Sequence, residues 1–332
     1  MKLFQKNKRL ESPEFRGDYV QEDPVQLQIE TSSLCNLQCV MCPHGIKGFL
    51  WKKEDNYLTH AQLVKILNQF PHLEKISLQG MGEPLLNSEL PELVAESTSR
   101  GITTSFFTNA MLLKRQVVDT LMDARLHRLV ISLDAGTEEK LAEIRKGADL
   151  AAIVDNVQYL ISEKKRRGST TPYVNIMFVA MPKNIETIPA VIELALELGV
   201  DELVIKACSG MALIDEHDWM LSEKDFDELM VSVEKGRKKG LQIGIAAGVN
   251  PLVRRQGKLR CQWPWKKAYV AVDGSVTPCC YALPERGVVF GNVLTSDFSE
   301  IWNGPKYQSF RKELREGMPA ICKNCPDYSQ FE

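Results

Sequence analysis

Three cysteines, Cys35, Cys39 and Cys42, fall within one stretch, TSSLCNLQCVMCPHG, with the spacing C-x3-C-x2-C. Thiolates are the preferred ligands of iron–sulfur clusters and of zinc. Three of them on one loop can hold three irons of a cubane and leave the fourth iron open to a substrate or cofactor. A closed four-thiolate site transfers electrons or supports structure instead. The competing reading is a structural zinc site completed by His44, but zinc knuckles pair one C-x2-C with a second, distant pair. A second group lies towards the C-terminus: Cys261, Cys279, Cys280 and the C-x2-C of Cys322 and Cys325. That group is a zinc pattern as much as an iron–sulfur one. Cys208 stands apart and reads as a small buried hydrophobe.

Composition limits what surrounds these sulfurs. The 332 residues are 44% hydrophobic and 25% charged, the profile of a globular chain with a sizeable core, one large domain or two ordinary ones. Lys and Arg number 41 against 43 Asp and Glu, a net charge of −2, so the basic footprint of a nucleic-acid binder is missing. The one basic stretch, EKKRRG (Glu163–Gly168), reads as the solvated last turn of a helix, where cations suit the dipole. No apolar run reaches the ~18 residues of a transmembrane span. The N-terminal MKLFQKNKRLESPEFRGD lacks the apolar centre and cleavage site of a signal peptide. A cytoplasmic location follows. In a reducing compartment, nine cysteines read as cluster ligands rather than a disulfide framework.

The elements that must position the sulfurs alternate regularly. Short, β-branched runs predict strands over Val25–Thr31, Lys75–Gln79, Thr103–Thr108, Arg128–Leu133, Tyr173–Ala180 and Glu202–Lys206. Amphipathic stretches between them predict helices over Thr59–Phe70, Ser88–Arg100, Lys114–Ala124, Ala151–Lys165 and Ile185–Leu198. Repeated strand–helix units argue for a parallel sheet with right-handed connections. Periodicity alone does not separate a doubly wound sheet from a barrel. The chemistry-bearing residues, however, all sit at C-terminal strand ends: Glu30 and the cysteines after the first strand, GMGEP (Gly80–Pro84) after the second. TNA (Thr108–Ala110) ends the third strand, and Ser132 and Asp134 end the fourth. A barrel carries its active-site loops at these ends. Past FDELMVSVEKGRKKG and the apolar LQIGIAA, the pattern becomes a hairpin, Lys266–Cys280, around Asp273–Gly274. A helix follows over Phe298–Glu316. A boundary near Gly248–Gln256 divides the chain into an extension (1–24), a barrel (25–247) and a C-terminal domain (248–332).

C-x3-C-x2-C after the first strand of a six-unit βα chain resembles the radical S-adenosylmethionine (SAM) superfamily. The resemblance implies an α/β fold, a partial (βα)6 TIM-like barrel whose open iron binds the amino and carboxylate groups of SAM. Reductive cleavage then gives a 5′-deoxyadenosyl radical that abstracts hydrogen from substrate. GMGEP resembles the family's GGEP motif and implicates Gly80, Gly82 and Glu83 in holding the methionine amine, with Met81 departing from the usual glycine. Glycines let backbone approach a ligand, and a carboxylate pairs with an ammonium. ISLDA resembles the ribose-contacting segment, implicating Ser132 and Asp134; FFTNA resembles TNG and puts Thr108 and Asn109 near cofactor or substrate. Met41 stands where the family often has an aromatic residue near adenine, a contact that Met can also make.

The C-terminal cysteines, with FGNVLTSDFSEIWNGPKYQSFRKELREG between them, resemble a SPASM/Twitch auxiliary-cluster domain, a small α+β unit of hairpin plus helix. The resemblance implies Cys261, Cys279, Cys322 and Cys325 as ligands of one auxiliary cluster, since seven residues without a cysteine follow Cys325. Gly-x4-Cys spacing and Pro278 favour Cys279 over Cys280. The cofactors implied are two 4Fe–4S clusters and SAM, and the partner an external electron donor such as flavodoxin or ferredoxin. The three-plus-four cysteine pattern is similar to that of 2-deoxy-scyllo-inosamine dehydrogenases. This implies a two-electron oxidation of a sugar-like or aminocyclitol small molecule, the auxiliary cluster accepting the second electron. The alternative is radical modification of a ribosomal peptide or a protein. Many such enzymes carry a leader-recognition domain, for which the 34 residues before Cys35 are too few. A non-catalytic electron carrier is disfavoured by the Gly-Glu-Pro motif. No residue identifies itself as general base, and neither nucleic acid nor membrane is expected as a partner.

Overall fold

The computed structural model describes residues 17–45, 56–208, 219–246, 249–250, 261–284, 287–322 and 325. The expected extension up to residue 16 and most of the expected boundary at Gly248–Gln256 lie outside the described residues. In chain order, β1 (Gln26–Ile29) and β2 (Gln38–Cys39) precede α1 (His60–Leu67), β3 (Lys75–Leu78), α2 (Leu90–Ser99) and β4 (Thr103–Thr108). Then come α3 (Arg115–Asp123), β5 (Arg128–Ser132), α4 (Glu138–Ile144), β6 (Arg145–Lys146), α5 (Leu150–Arg166), β7 (Tyr173–Ala180), α6 (Ile188–Leu198) and β8 (Glu202–Ala207). The chain continues through α7 (Glu223–Lys238), β9 (Ile243–Ile245), α8 (Trp263–Lys266), β10 (Lys267–Val270), β11 (Ser275–Thr277) and β12 (Gly291–Asn292). It ends in α9 (Phe298–Trp302) and α10 (Pro305–Glu316).

The six expected strands lie side by side and parallel, in the order β1-β3-β4-β5-β7-β8. LQIGIAA adds a further parallel strand, β9, beside β8. At the other edge β10 pairs parallel to β1, and β11 and β12 follow antiparallel. The C-terminal hairpin therefore continues the barrel sheet.

Alternation along each strand divides the two faces. Leu27 and Ile29, Ile76 and Leu78, Phe106, Leu129 and Ile131, Ile176 and Phe178, and Leu203 and Ile205 pack into the main core. The intervening Gln28, Ser77, Ser105 and Ser132 are half-buried on the concave side. A closed barrel fills this side with branched apolar side chains; here it keeps a polar lumen.

Helices form where local signals and the core agree. In α1 the Thr59 hydroxyl accepts from Gln62 N, and the Gln62 side chain accepts from Thr59 N at 2.9 Å. Leu63, Ile66 and Leu67 are buried at helical spacing, each contributing roughly 1.5–3 kcal/mol. EKKRRG is the last turn of α5 and the residues just beyond it, from which Arg167 reaches Asp119 and Asp123 of α3. The single helix expected over Phe298–Glu316 is two helices. Gly304 is extended (φ −68°, ψ 165°) before Pro305, which occupies the first turn of α10. A residue before proline disfavours helical backbone, and the ring has no N–H to continue the ladder.

Candidate active site

The cysteine loop leaves β1 and is tied down on both sides. Cys39 pairs with Arg145 across the short antiparallel ladder of β2 and β6. Beside it, Val40 N donates to Ile144 O at 2.9 Å. Cys42 N donates to Cys39 O at 3.0 Å, and Gly45 N to Cys42 O at 2.8 Å. A Cβ on Gly45 would lie 2.1 Å from the Cys39 carbonyl oxygen, so only glycine closes this turn. On the opposite side Glu83 N donates to Leu34 O at 2.7 Å, and Asn109 Nδ2 to Asn36 Oδ1 at 2.9 Å. The cysteine, GMGEP and TNA stretches are thus brought together.

Cys39 is buried, and Cys35 and Cys42 are half-buried. Burial pushes the Cys35 thiol up to about 11 and Cys42 to about 12; neighbouring sulfurs add to both, and Arg145 opposes. Cys39 is raised by burial as well. Thiols so placed stay protonated until a metal coordinates the sulfur and displaces the proton. Among the described residues, no three His, Cys, Asp or Glu side chains form a single-ion site. A cubane, which holds each thiolate on its own iron, asks for none.

Arg145 is the residue that sequence reasoning missed. Its Nη1 lies 3.8 Å from Cys39 Sγ, and its Nη2 lies 2.6 Å from Asp134 Oδ2. Burial works against the guanidinium charge, but Asp134 and Cys39 hold its pKa above the ordinary value. Asp134 is fully buried, and its Oδ1 accepts from Val179 N at 2.7 Å. Burial raises the Asp134 carboxyl, and Arg145 opposes the rise. The Asp134 oxygens thus face Arg145 and the backbone of β7. No local pattern in AEIRKG marks Arg145; only the β2–β6 pairing sets it against a cysteine.

Glu83 is buried and accepts three hydrogen bonds, from Thr108 Oγ1 at 2.7 Å, Asn109 N at 2.8 Å and Leu85 N at 3.1 Å. Thr108 and Asn109 accordingly position this carboxylate. Burial raises the Glu83 carboxyl, and these hydrogen bonds oppose the rise. The GMGEP glycines sit against other chain segments. A Cβ at Gly80 would lie 2.2 Å from Glu30 Cγ, and one at Gly82 would lie 2.3 Å from Ser32 O and 2.4 Å from Leu34 O. Gly82→Ala therefore pushes backbone against backbone. It should cost about 1–3 kcal/mol of stability, read by urea denaturation. Glu30 is fully buried. It accepts from Met81 N and from Val272 N, both at 3.1 Å, linking the GMGEP loop to the C-terminal hairpin.

Met41 packs beside Val40, Ile144, Met181, Cys208 and Trp219. Cys208 is buried there, as its apolar reading expects. Ser132 is half-buried at the C-terminal end of β5.

The second sulfur group is brought together from four chain positions. Cys261, Cys322 and Cys325 pack with Trp265, Phe310 and Leu314. Burial raises the Cys261 thiol well above its ordinary value, and Cys279, Cys325 and Cys322 raise it further. Cys280 packs against Tyr269, Ala271 and Leu283. Buried Arg311 braces the group: its Nε donates to Pro264 O at 2.7 Å and its guanidinium stacks 4.3 Å from the Trp302 ring centroid.

Residues 29–195 match the model of the radical SAM superfamily, and residues 261–326 match SPASM, an iron–sulfur cluster-binding domain. A tungsten-containing aldehyde ferredoxin oxidoreductase cofactor-modifying protein from Pyrococcus furiosus is 24% identical, over 90% of this chain and 86% of its own. A PqqA peptide cyclase from Gluconobacter oxydans is 27% identical, over 91% of this chain and 82% of its own. Among solved structures, Streptococcus suis SuiB bound to S-adenosylmethionine superposes with TM-score 0.72 at 18% identity, covering 93% of this chain and 76% of SuiB. BtrN in complex with AdoMet and 2-DOIA superposes with TM-score 0.51 at 21% identity, covering 92% of this chain and 93% of BtrN. The sulfur loops therefore sit in a fold whose solved members bind SAM, and among the described residues no helix is long and apolar enough to cross a membrane. This chain belongs to the radical SAM superfamily, with a C-terminal SPASM domain, and its cofactors are 4Fe–4S clusters and SAM.

Proposed function

We propose that this radical SAM enzyme modifies a ribosomally made peptide or a protein. The observation that carries the reading is the run of relatives named PqqA peptide cyclase, aligned over nine-tenths of the chain and hence through both matched domains. The likeness to SuiB, solved with its precursor peptide SuiA, agrees with it in fold. Oxidation of an aminocyclitol, the first expectation from the cysteine pattern, keeps the weaker support of the lower BtrN superposition.

In this reading Cys35, Cys39 and Cys42 hold the cluster that binds SAM, and Cys261, Cys279, Cys322 and Cys325 hold an auxiliary one. Bound there, SAM and the first cluster would supply radical chemistry that begins with removal of a hydrogen atom from the substrate. Glu83, fixed by Thr108 and Asn109, receives the methionine ammonium. Gly80 and Gly82 let the loop backbone approach it. Arg145, braced by Asp134, presents a positive charge beside Cys39, where it would favour the anionic cluster thiolates. Met41 and Ser132 line the nucleoside side. A flavodoxin or ferredoxin delivers the reducing electron.

Glu83→Gln keeps the shape of the side chain and removes its charge. SAM affinity should fall by about ten- to a hundredfold, the scale of a buried charge-assisted hydrogen bond. The pH dependence has a fixed sign. Ammonium pairing needs Glu83 ionised, and burial raises its carboxyl. SAM affinity should therefore weaken on acidification at a pH above the ordinary carboxylate range, and this limb should vanish in Glu83→Gln. The function itself is tested by anaerobic incubation with SAM, dithionite and a precursor peptide encoded beside this chain. The expected products are 5′-deoxyadenosine, methionine and a peptide lighter by two hydrogens. Turnover confined to an aminocyclitol would overturn the reading.

A further inference from the structure

We infer that segment 17–22 is a strap that holds the auxiliary sulfur site closed against loss of its iron. The inference rests on the reading above only in taking Cys261, Cys279, Cys322 and Cys325 as the auxiliary ligands. The strap precedes β1 and has neither helix nor strand of its own. Trp265 Nε1 donates to Gly17 O at 3.0 Å, and Arg311 Nη1 to Asp18 O at 2.9 Å. Val20 and Asn303 bond reciprocally, Val20 N donating to Asn303 Oδ1 at 3.0 Å and Asn303 Nδ2 to Val20 O at 2.9 Å. Trp302 Nε1 donates to Glu22 O at 3.1 Å, and the Asp18 carboxylate takes Arg315 Nη2 at 2.6 Å. Every one of these partners belongs to the matched SPASM residues.

The partners lie where the sulfurs are. Trp265 belongs to the packing group of Phe310, Leu314 and Cys322, against which Cys261 and Cys325 also pack. Val20 packs against this group and against the main core as well. The strap therefore joins the barrel to the segments that carry three of the four sulfurs. The fourth is held from the other side. There β10 pairs with β1, and the same hairpin carries Cys279 two residues beyond β11.

Ligands drawn from separate segments hold iron only while those segments stay together. Iron leaves through a local opening, and the contacts that must break set how often that opening occurs. The strap buries little apolar surface of its own, and Tyr19 at its centre is 63% exposed. Its grip is a set of directional bonds instead. It cannot lift without breaking those to Trp302 and Arg311, both fully buried. Bonds to enclosed donors are the costly ones to lose, because the donor is left without water or partner.

The test follows release of iron to bathophenanthroline under dithionite, in a Cys39→Ser chain that keeps only the auxiliary iron. Asn303→Ala removes both bonds to Val20 and should speed release about tenfold or more. Asn303→Asp keeps the acceptor for Val20 N and should fall between. Asp18→Ala frees Arg315 without touching core packing and should speed release about two- to fivefold. It serves as second variant if Asn303→Ala fails to fold. In the chain with both clusters, Asn303→Ala should leave SAM affinity and the iron of Cys35, Cys39 and Cys42 unchanged, which a general loss of fold would not spare. Unchanged release in these variants, or equal loss from both sites, overturns the strap. The proposals fail separately. A Cys39→Ser chain that never holds iron removes the auxiliary ligand set and the strap with it. Strap-dependent release with no peptide ever modified keeps the strap and removes the proposed function.

Discussion

Cys39→Ser should abolish SAM cleavage, with 5′-deoxyadenosine falling to the level of protein-free controls. Cys39 is the one buried residue of the three loop cysteines, and it is the one paired with Arg145 across the β2–β6 ladder. A serine there offers a hard oxygen where the cluster needs a soft thiolate, and it leaves the Arg145 guanidinium facing a neutral partner. Iron should fall from about eight to about four per chain, the auxiliary cluster remaining. Cys322→Ser is the complementary experiment. Cys322 lies in the separate packing group of Trp265, Phe310 and Leu314. Its loss should spare SAM cleavage more than product formation if the auxiliary cluster accepts an electron from substrate. Equal loss of both would instead assign the auxiliary cluster a folding role, because cluster binding couples to folding.

Asp134→Ala or Arg145→Met, made singly, should each cost about 3–5 kcal/mol of stability, since each strands a buried charge. The ion pair is 2.6 Å long, Asp134 is fully buried, and the Arg145 side chain is 11% exposed. Urea denaturation of the cluster-free protein reads the loss directly. The double variant Asp134→Leu/Arg145→Met should regain most of it, because apolar groups of similar volume often replace a buried pair at little cost. Activity should not return with it, since the charge beside Cys39 is gone. A double variant as unstable as the singles would mean that the pair is not what holds β6 against the cysteine loop.

Much of this fold is legible residue by residue. The strand and helix order follows from local periodicity, and the six central strands stand where their β-branched runs put them. The three motif stretches fall at C-terminal strand ends because a parallel sheet delivers every such end to one side. The break between α9 and α10 was also local, written in Gly304 and Pro305. Cys35, Cys39 and Cys42 mark a thiolate site by type and spacing, and together with GMGEP they carry the resemblance to the radical SAM superfamily, the family that the chain matches.

The tertiary structure decided what depends on pairing between distant segments. The hairpin at Lys267 joins the barrel at β1, a choice of sheet edge that no local pattern encodes. Cys261 is brought near Cys279, Cys322 and Cys325 from three distant segments, while Cys280 packs against the group of Tyr269, Ala271 and Leu283, a sorting that only packing decides. Arg145 meets Cys39 across 106 residues through a ladder of two residues on each strand, too short to leave a periodic signal. The polar lumen exists only once four strands turn the same face inward. The sequence by itself determined which sulfurs and turns are present, since those are properties of residue type and near spacing. Only the fold decided which charges stand beside them, because a buried charge is set by partners that the chain brings from far away.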